Sequence, residues 1–90
     1  MDIEFTKNAD LDLEFWKKSG QKAIQKRISN LLMDMKKNPY KGLGNPKSLK
    51  HDLSGSWSRE IDKKNRLLYD VDEANDKITI HSLCGHYFDK

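Results

Sequence analysis

The sequence predicts an α+β domain: an N-terminal strand, a two-helix hairpin, then a mainly antiparallel sheet. Three observations predict it. Ile24, Ile28, Leu31, Leu32 and Met35 recur at i, i+4, i+7, i+8 and i+11, which is one apolar helix face. Residues 57–61, 66–72 and 77–83 read as strands, with apolar and polar side chains largely alternating. The breaks between them, Asp-Lys-Lys-Asn at 62–65 and Glu-Ala-Asn-Asp at 73–76, are short and turn-rich, so consecutive strands join as hairpins.

The elements follow in order. Ile3-Glu4-Phe5-Thr6 alternates and reads as a short first strand. Thr6 or Asn8 can cap the helix after it, and Asp10, Asp12 and Glu14 near its start complement the helix dipole. Leu11 with Phe15, and Leu13 with Trp16, give that helix its apolar pairs, and Phe5, Phe15 and Trp16 are assigned to the core. Ser19-Gly20 ends it, glycine being suited to the left-handed residue past a helix end. The second helix stops at Asn38-Pro39, because proline disfavours helical geometry in the residue before it. Residues 39–48 hold two Pro and two Gly without periodicity and read as loop, and residues 49–54 read as a possible extra strand.

Ninety residues and 10.5 kDa make one domain, residues 1–90, with a single thin core. A mean hydropathy of −0.90 is too polar for a membrane protein, and no apolar run reaches the ~18 residues that a span needs. The acidic start, Met1-Asp2-Ile3-Glu4, lacks the basic and apolar stretches of a signal peptide. The single cysteine, Cys84, excludes an internal disulfide framework and reads as a spare thiol. These features predict a cytoplasmic protein.

The net charge of +3 is unevenly spread. Residues 15–69 hold fourteen Lys or Arg against four acids, while the segments before and after are net negative. A basic middle of this size suggests a polyanion partner, most simply RNA or DNA, and a solvated lysine face is the bland alternative.

Strand parity indicates which side chains are free for chemistry. Leu67, Tyr69 and Val71, with Ile78, Ile80, Trp57 and Ile61, belong to the helix-covered side. With no bulge intervening, Glu60, Arg66 and His81 then share the open face, with Ser58 also outward. Arg59 falls on the inner parity and must snorkel or lie beyond the helices. A carboxylate, an arginine and a histidine on one cationic surface suit metal-free cleavage of a phosphodiester. RNA needs a base for the 2′-hydroxyl, a cation at the phosphate and an acid for the departing 5′-oxygen. The three histidines have no metal-ligand spacing, and no Gly-rich phosphate loop is present.

The run Asn45-Pro46-Lys47-Ser48-Leu49-Lys50-His51-Asp52-Leu53-Ser54-Gly55-Ser56-Trp57-Ser58-Arg59 resembles the YoeB/Txe toxins of the RelE superfamily. So do Asn65-Arg66-Leu67-Leu68-Tyr69, the ending Gly85-His86-Tyr87, Trp16 in the first helix, and Asn38-Pro39-Tyr40 after the second. The resemblance covers nearly the whole chain. It implies a small microbial-ribonuclease fold and the toxin half of a type II toxin–antitoxin system. The activity implied is that of a metal-independent endoribonuclease, without cofactor, cutting mRNA in the ribosomal A site. The implied partners are a YefM/Axe-like antitoxin, the ribosome and mRNA, a second copy in a homodimer, and operator DNA through the antitoxin alone.

Carried over by position, Arg66 would bind phosphate, His86 would be the general acid, and Tyr87 would position substrate. The motif thereby selects His86 over the His81 that parity favours. Lys50, Lys47, Arg59 and Tyr40 are the further expected RNA or phosphate contacts. Two positions depart from the family pattern, which typically has Glu at position 47 and Arg at position 60. In this chain the signs are exchanged, so Glu60 is the candidate base and Lys47 a cation. The alternative is a weakened or inactive toxin that serves as an antitoxin-binding and co-repressor module. A topoisomerase-poisoning relative is a third reading, opposed by the His86-Tyr87 ending.

Overall fold

The computed structural model describes residues 1–49 and 55–85. The first strand, β1, spans Asp2–Phe5. Thr6 then caps α1 (Lys7–Ser19) by accepting a hydrogen bond from the Ala9 amide. Gly20, at φ +76°, closes α1 in the left-handed region, as its sequence position predicts. The second helix, α2, spans Lys22–Lys37 and buries Ile28, Leu31 and Met35 from the predicted stripe. The sheet then forms from β2 (Lys47–Ser48), β3 (Ser56–Glu60), β4 (Arg66–Asp72) and β5 (Lys77–Ser82).

Its five strands run in the order β1-β5-β4-β3-β2. All neighbouring pairs are antiparallel except β1 and β5, which are parallel. The helices cover one face, where Ala9, Trp16, Ile28, Leu31, Met35, Ile61, Leu67, Tyr69, Ile78, Ile80 and Leu83 form the core. Phe15 departs from expectation. It is 55% exposed and meets Trp16 edge-on with ring centroids 5.1 Å apart. Leu11, one turn earlier, is exposed beside it, so this pair faces away from the sheet.

Arg59 is the second departure. It neither snorkels nor contacts solvent: the side chain is fully buried on the helix side of β3. Its guanidinium is spent within the fold. Nε donates to the Tyr69 hydroxyl at 3.1 Å, and Nη1 donates to Asp34 Oδ2 at 2.7 Å and to the Leu43 carbonyl at 3.1 Å. Nη2 donates to the carbonyls of Asn38 and Lys41. The fork thus gathers the loop after α2 onto the sheet, a use that arginine's five fixed donors allow. It is not an RNA contact.

The same loop leads into β2. Gly44 sits at φ +80° with its carbonyl accepting from the Glu60 amide at 2.7 Å. A Cβ there would lie 2.7 Å from Leu31 Cδ2, so the close approach of the loop to β3 depends on glycine.

Candidate functional site

Paired residues on neighbouring strands point to the same side, and this register assembles the candidate site on the face away from the helices. Glu60 pairs with Arg66, and Lys47 pairs with Ser58 two residues along β3 from Glu60. Ser58 in turn pairs with Leu68, and Leu68 with Ser82. The structure therefore brings Lys47, Glu60 and Arg66 to one face beside the β3–β4 turn.

Arg66 Nη2 lies 3.5 Å from Glu60 Oε2, with the Glu60 side chain half-exposed and that of Arg66 13% exposed. Among the described residues Arg66 Nη1 finds no hydrogen-bond partner, although it is sealed from solvent. The Ser58 and Ser82 hydroxyls on the same face are likewise buried and unpartnered. Sequence parity puts Ser58 outward, but gives no sign that the middle of this face is closed to solvent. An arginine beside a half-exposed carboxylate sets a cation that can hold an anion next to a group that can accept a proton.

His81 lies on this face but away from Arg66. A bulge between β4 and β5 leaves it unpaired while Ser82 pairs with Leu68. Its Nε2 lies 2.7 Å from Asp70 Oδ2, and Asp70 also accepts from the Ser56 hydroxyl. The bulge shifts the parity of the strand end, so Ser82 faces out and Leu83 enters the core.

Two expected RNA contacts do not join the site. Arg59 is buried on the opposite side of the sheet, as described above. Tyr40 packs on Trp57 with ring centroids 5.0 Å apart, and Trp57 pairs with the core residue Tyr69, so Tyr40 belongs to the helix side. Its hydroxyl donates to Glu73, and that bond, with some burial, pushes its pKa up to about 12. Lys50, His86 and Tyr87, also expected at the site, lie outside the described residues. What leads to His86 is described: Leu83 is buried, and the Gly85 carbonyl accepts from the Arg66 amide at 3.0 Å.

Cys84 sits where its thiol is held protonated. Burial and the Asp12 carboxylate push its thiol up to about 11. At pH 8 its alkylation by iodoacetamide should therefore run at least ~10²-fold slower than that of an unperturbed cysteine, whose pKa is about 8.5. A rate within about threefold of free cysteine would contradict the burial.

The comparisons with known proteins agree with this architecture. Residues 5–87 match the family of YoeB-like toxins of bacterial type II toxin–antitoxin systems. The chain belongs to this family. It is 41% identical to the YoeB toxin of Streptomyces coelicolor, over 97% of this chain and all of that one. A solved YoeB/ParE toxin from Agrobacterium tumefaciens superposes with a TM-score of 0.91 at 31% identity, covering 97% of this chain and all of the other. The Staphylococcus aureus YoeB is 34% identical and covers 97% of this chain and 98% of its own. It has been solved as a dimer and in complex with YefM, with TM-scores of 0.85 and 0.84.

This toxin thus has the N-terminal strand, helical hairpin and antiparallel sheet that the sequence implies. Among the described residues no helix is long and apolar enough to cross a membrane. Nor do three His, Cys, Asp or Glu side chains among them come together as a metal site.

Proposed function

We propose that this toxin is a ribosome-dependent endoribonuclease that cuts mRNA by acid–base chemistry in the cytoplasm and is held inactive by a YefM/Axe-like antitoxin. One observation carries the reading: Arg66 and the half-exposed Glu60 carboxylate stand as a cation and a proton acceptor side by side, on the strand face that Lys47 also shares. In the reaction, Glu60 takes the proton of a ribose 2′-hydroxyl as that oxygen bonds to phosphorus. Arg66, with Lys47 and Lys50, stabilises the charge on the phosphate oxygens. The bond from phosphorus to the 5′-oxygen breaks, and His86 protonates that oxygen while Tyr87 holds the substrate. The products are a cyclic 2′,3′-phosphate and a free 5′-hydroxyl. A second copy of the chain and, through the antitoxin, operator DNA complete the proposed partners. The solved S. aureus dimer and YoeB–YefM complex support the protein partners.

Primer-extension mapping of mRNA on purified translating ribosomes tests the reading. New 3′ ends within the A-site codon are expected only when the protein is added. Intact message on arrested ribosomes would contradict it.

Docking should depend steeply on salt. Lys36, Lys37, Lys41, Lys47 and Lys50 lie within fifteen residues that contain no acid. Each phosphate contact releases condensed counterions, so affinity falls as salt rises. Co-sedimentation with ribosomes should drop at least ~10-fold between 50 and 200 mM salt. A flat profile would remove the basic segment as the docking surface.

A second reading, a weakened toxin that mainly binds antitoxin and acts as co-repressor, is favoured by the ion pair itself. Glu60 occupies one side of the arginine that would bind phosphate.

A further inference from the structure

We propose that Asp12, Trp16 and Asn65 are positioning residues that fasten the chain leading to His86, at Leu83 and Gly85, to the backbone of Arg66 and to α1. The proposal rests on the nuclease reading for the role of His86, and it adds residues that do not touch substrate.

The chain leaving β5 is fixed at both ends of residues 83–85. The Leu83 amide donates to Asp12 Oδ2 at 2.9 Å, and the Leu83 carbonyl accepts from Trp16 Nε1 at 2.9 Å. Both α1 side chains thus grip one residue of the sheet's exit, through the peptide on each side of it. Two residues on, the Gly85 amide donates to Asn65 Oδ1 at 2.9 Å, and its carbonyl accepts from the Arg66 amide at 3.0 Å. Leu83 thus has both backbone groups engaged by α1, and Gly85 has both engaged by residues 65 and 66.

Asn65 is itself oriented. Its Nδ2 donates to Asp62 Oδ1 at 3.1 Å, and its own amide donates to the same oxygen at 2.7 Å. That leaves Oδ1 as the group turned to Gly85. Gly85 adopts φ +85°, which glycine takes without strain. Nothing in Trp16, Asp12 or Asn65 need reach RNA. Their joint effect is to tie the residue before His86 to the backbone of Arg66 itself. A catalytic acid displaced by about 1 Å can cost ~10²-fold in rate, so such a strap has a kinetic consequence.

The test is single-turnover cleavage of ribosome-bound mRNA with a double-mutant cycle. Asp12→Ala and Asn65→Ala should each lower kcat by about 10- to 100-fold with KM unchanged. Asp12→Asn keeps an acceptor for the Leu83 amide and should recover most of the rate. In a His86→Ala background, Asp12→Ala should add less than about twofold, because it acts through His86. Full multiplication of the two losses, or a rise in KM alone, would overturn the proposal. Amide exchange by NMR on the same proteins supplies the second measurement. The Leu83 and Gly85 amides should be protected in the parent and lose protection in Asp12→Ala and Asn65→Ala respectively. If the parent does not cleave mRNA, the nuclease reading fails on that result alone. The strap is then decided by exchange: equal rates in parent and variants overturn it.

Discussion

Arg59→Ala is expected to lower the melting temperature by at least ~12 °C. The side chain is fully buried, and all five of its donors are engaged by Asp34, Tyr69 and three loop carbonyls. Removing one partner of a buried ion pair costs about 3–5 kcal/mol, because the remaining charge and acceptors lose their compensation. For a domain of 60–100 residues each kcal/mol is worth about 4–8 °C. Total stabilities are only about 5–15 kcal/mol, so this one guanidinium governs a large share. Arg59→Lys should fall between parent and Ala, since an ammonium restores the charge beside Asp34 but has fewer donors and no planar fork. Thermal unfolding followed by circular dichroism reads the effect. A change below about 3 °C for Arg59→Ala would show that water replaces the network at little cost.

The same pair has a pH signature. The hydrogen bond from Arg59 holds the Asp34 carboxyl below its ordinary value of 3.8, against some burial. A depressed folded-state value means that the unfolded chain binds the proton first as pH falls. The stabilisation is present above 3.8 and is lost as pH drops through the lower folded-state value. In Arg59→Ala this part of the acid sensitivity should disappear. Tyr69 shows the opposite direction. Burial raises its phenol, which stays neutral, accepts from Arg59 and donates to the Pro39 carbonyl at 2.7 Å.

Strand parity carried much of this fold at the level of sequence. Period-2 alternation in residues 66–72 assigns Leu67 and Tyr69 to the core and Arg66 to the open face, and β4 has those bounds. Glu60 and Arg66 share a face by the same alternation, but their direct pairing was not legible, because the connection is five residues, 61–65, and not the four of the turn-rich break. Arg59 was misread because parity tells which side a residue faces and not what it meets there. Its partners, Asp34 and the loop carbonyls, lie 16 to 25 residues away in sequence. Composition assigns a lone inward arginine to solvent unless an acid and free carbonyls converge on it, and that is a tertiary fact. The bulge beyond Ile80 has no glycine or proline to announce it, so the outward turn of Ser82 was not legible. Phe15 goes to the core on its i,i+4 spacing from Leu11, but that pair marks an exposed stripe, and the packed stripe of α1 passes through Ala9 and Trp16. The strap on Leu83 was not legible: Asp12 and Trp16 stand four apart on one helix, and nothing in their spacing names their partner.

The exchange of charge between positions 47 and 60 predicts the largest change in activity. Lys47 and Glu60 lie on the same face, Lys47 opposite Ser58 and Glu60 two residues along that strand. Diagonal neighbours of this kind are about 7–8 Å apart at Cα, within joint reach of one phosphodiester. A carboxylate from either strand could therefore serve the same 2′-hydroxyl, provided that a cation takes the other place. A general base contributes about 10²- to 10⁴-fold in rate, so Glu60→Gln should slow cleavage of ribosome-bound mRNA by at least ~10². Glu60 is half-exposed, so the substitution should leave the melting temperature nearly unchanged, which separates it from the Arg59 variants. Arg66→Ala and His86→Ala should be comparably damaging, each removing a different part of one proton and charge transfer. Lys47→Glu with Glu60→Arg restores the signs typical of the family and frees Arg66 from its ion pair. In an active parent, that double variant should retain cleavage while transferring dependence from position 60 to position 47, so that a further Glu-to-Gln change matters at 47 and no longer at 60. If Glu60→Gln leaves the rate unchanged while His86→Ala abolishes it, Glu60 is not the base. If the parent is silent and only the double variant cleaves, the pair Glu60–Arg66 is what inactivates the site, and the chain acts as an antitoxin-binding module.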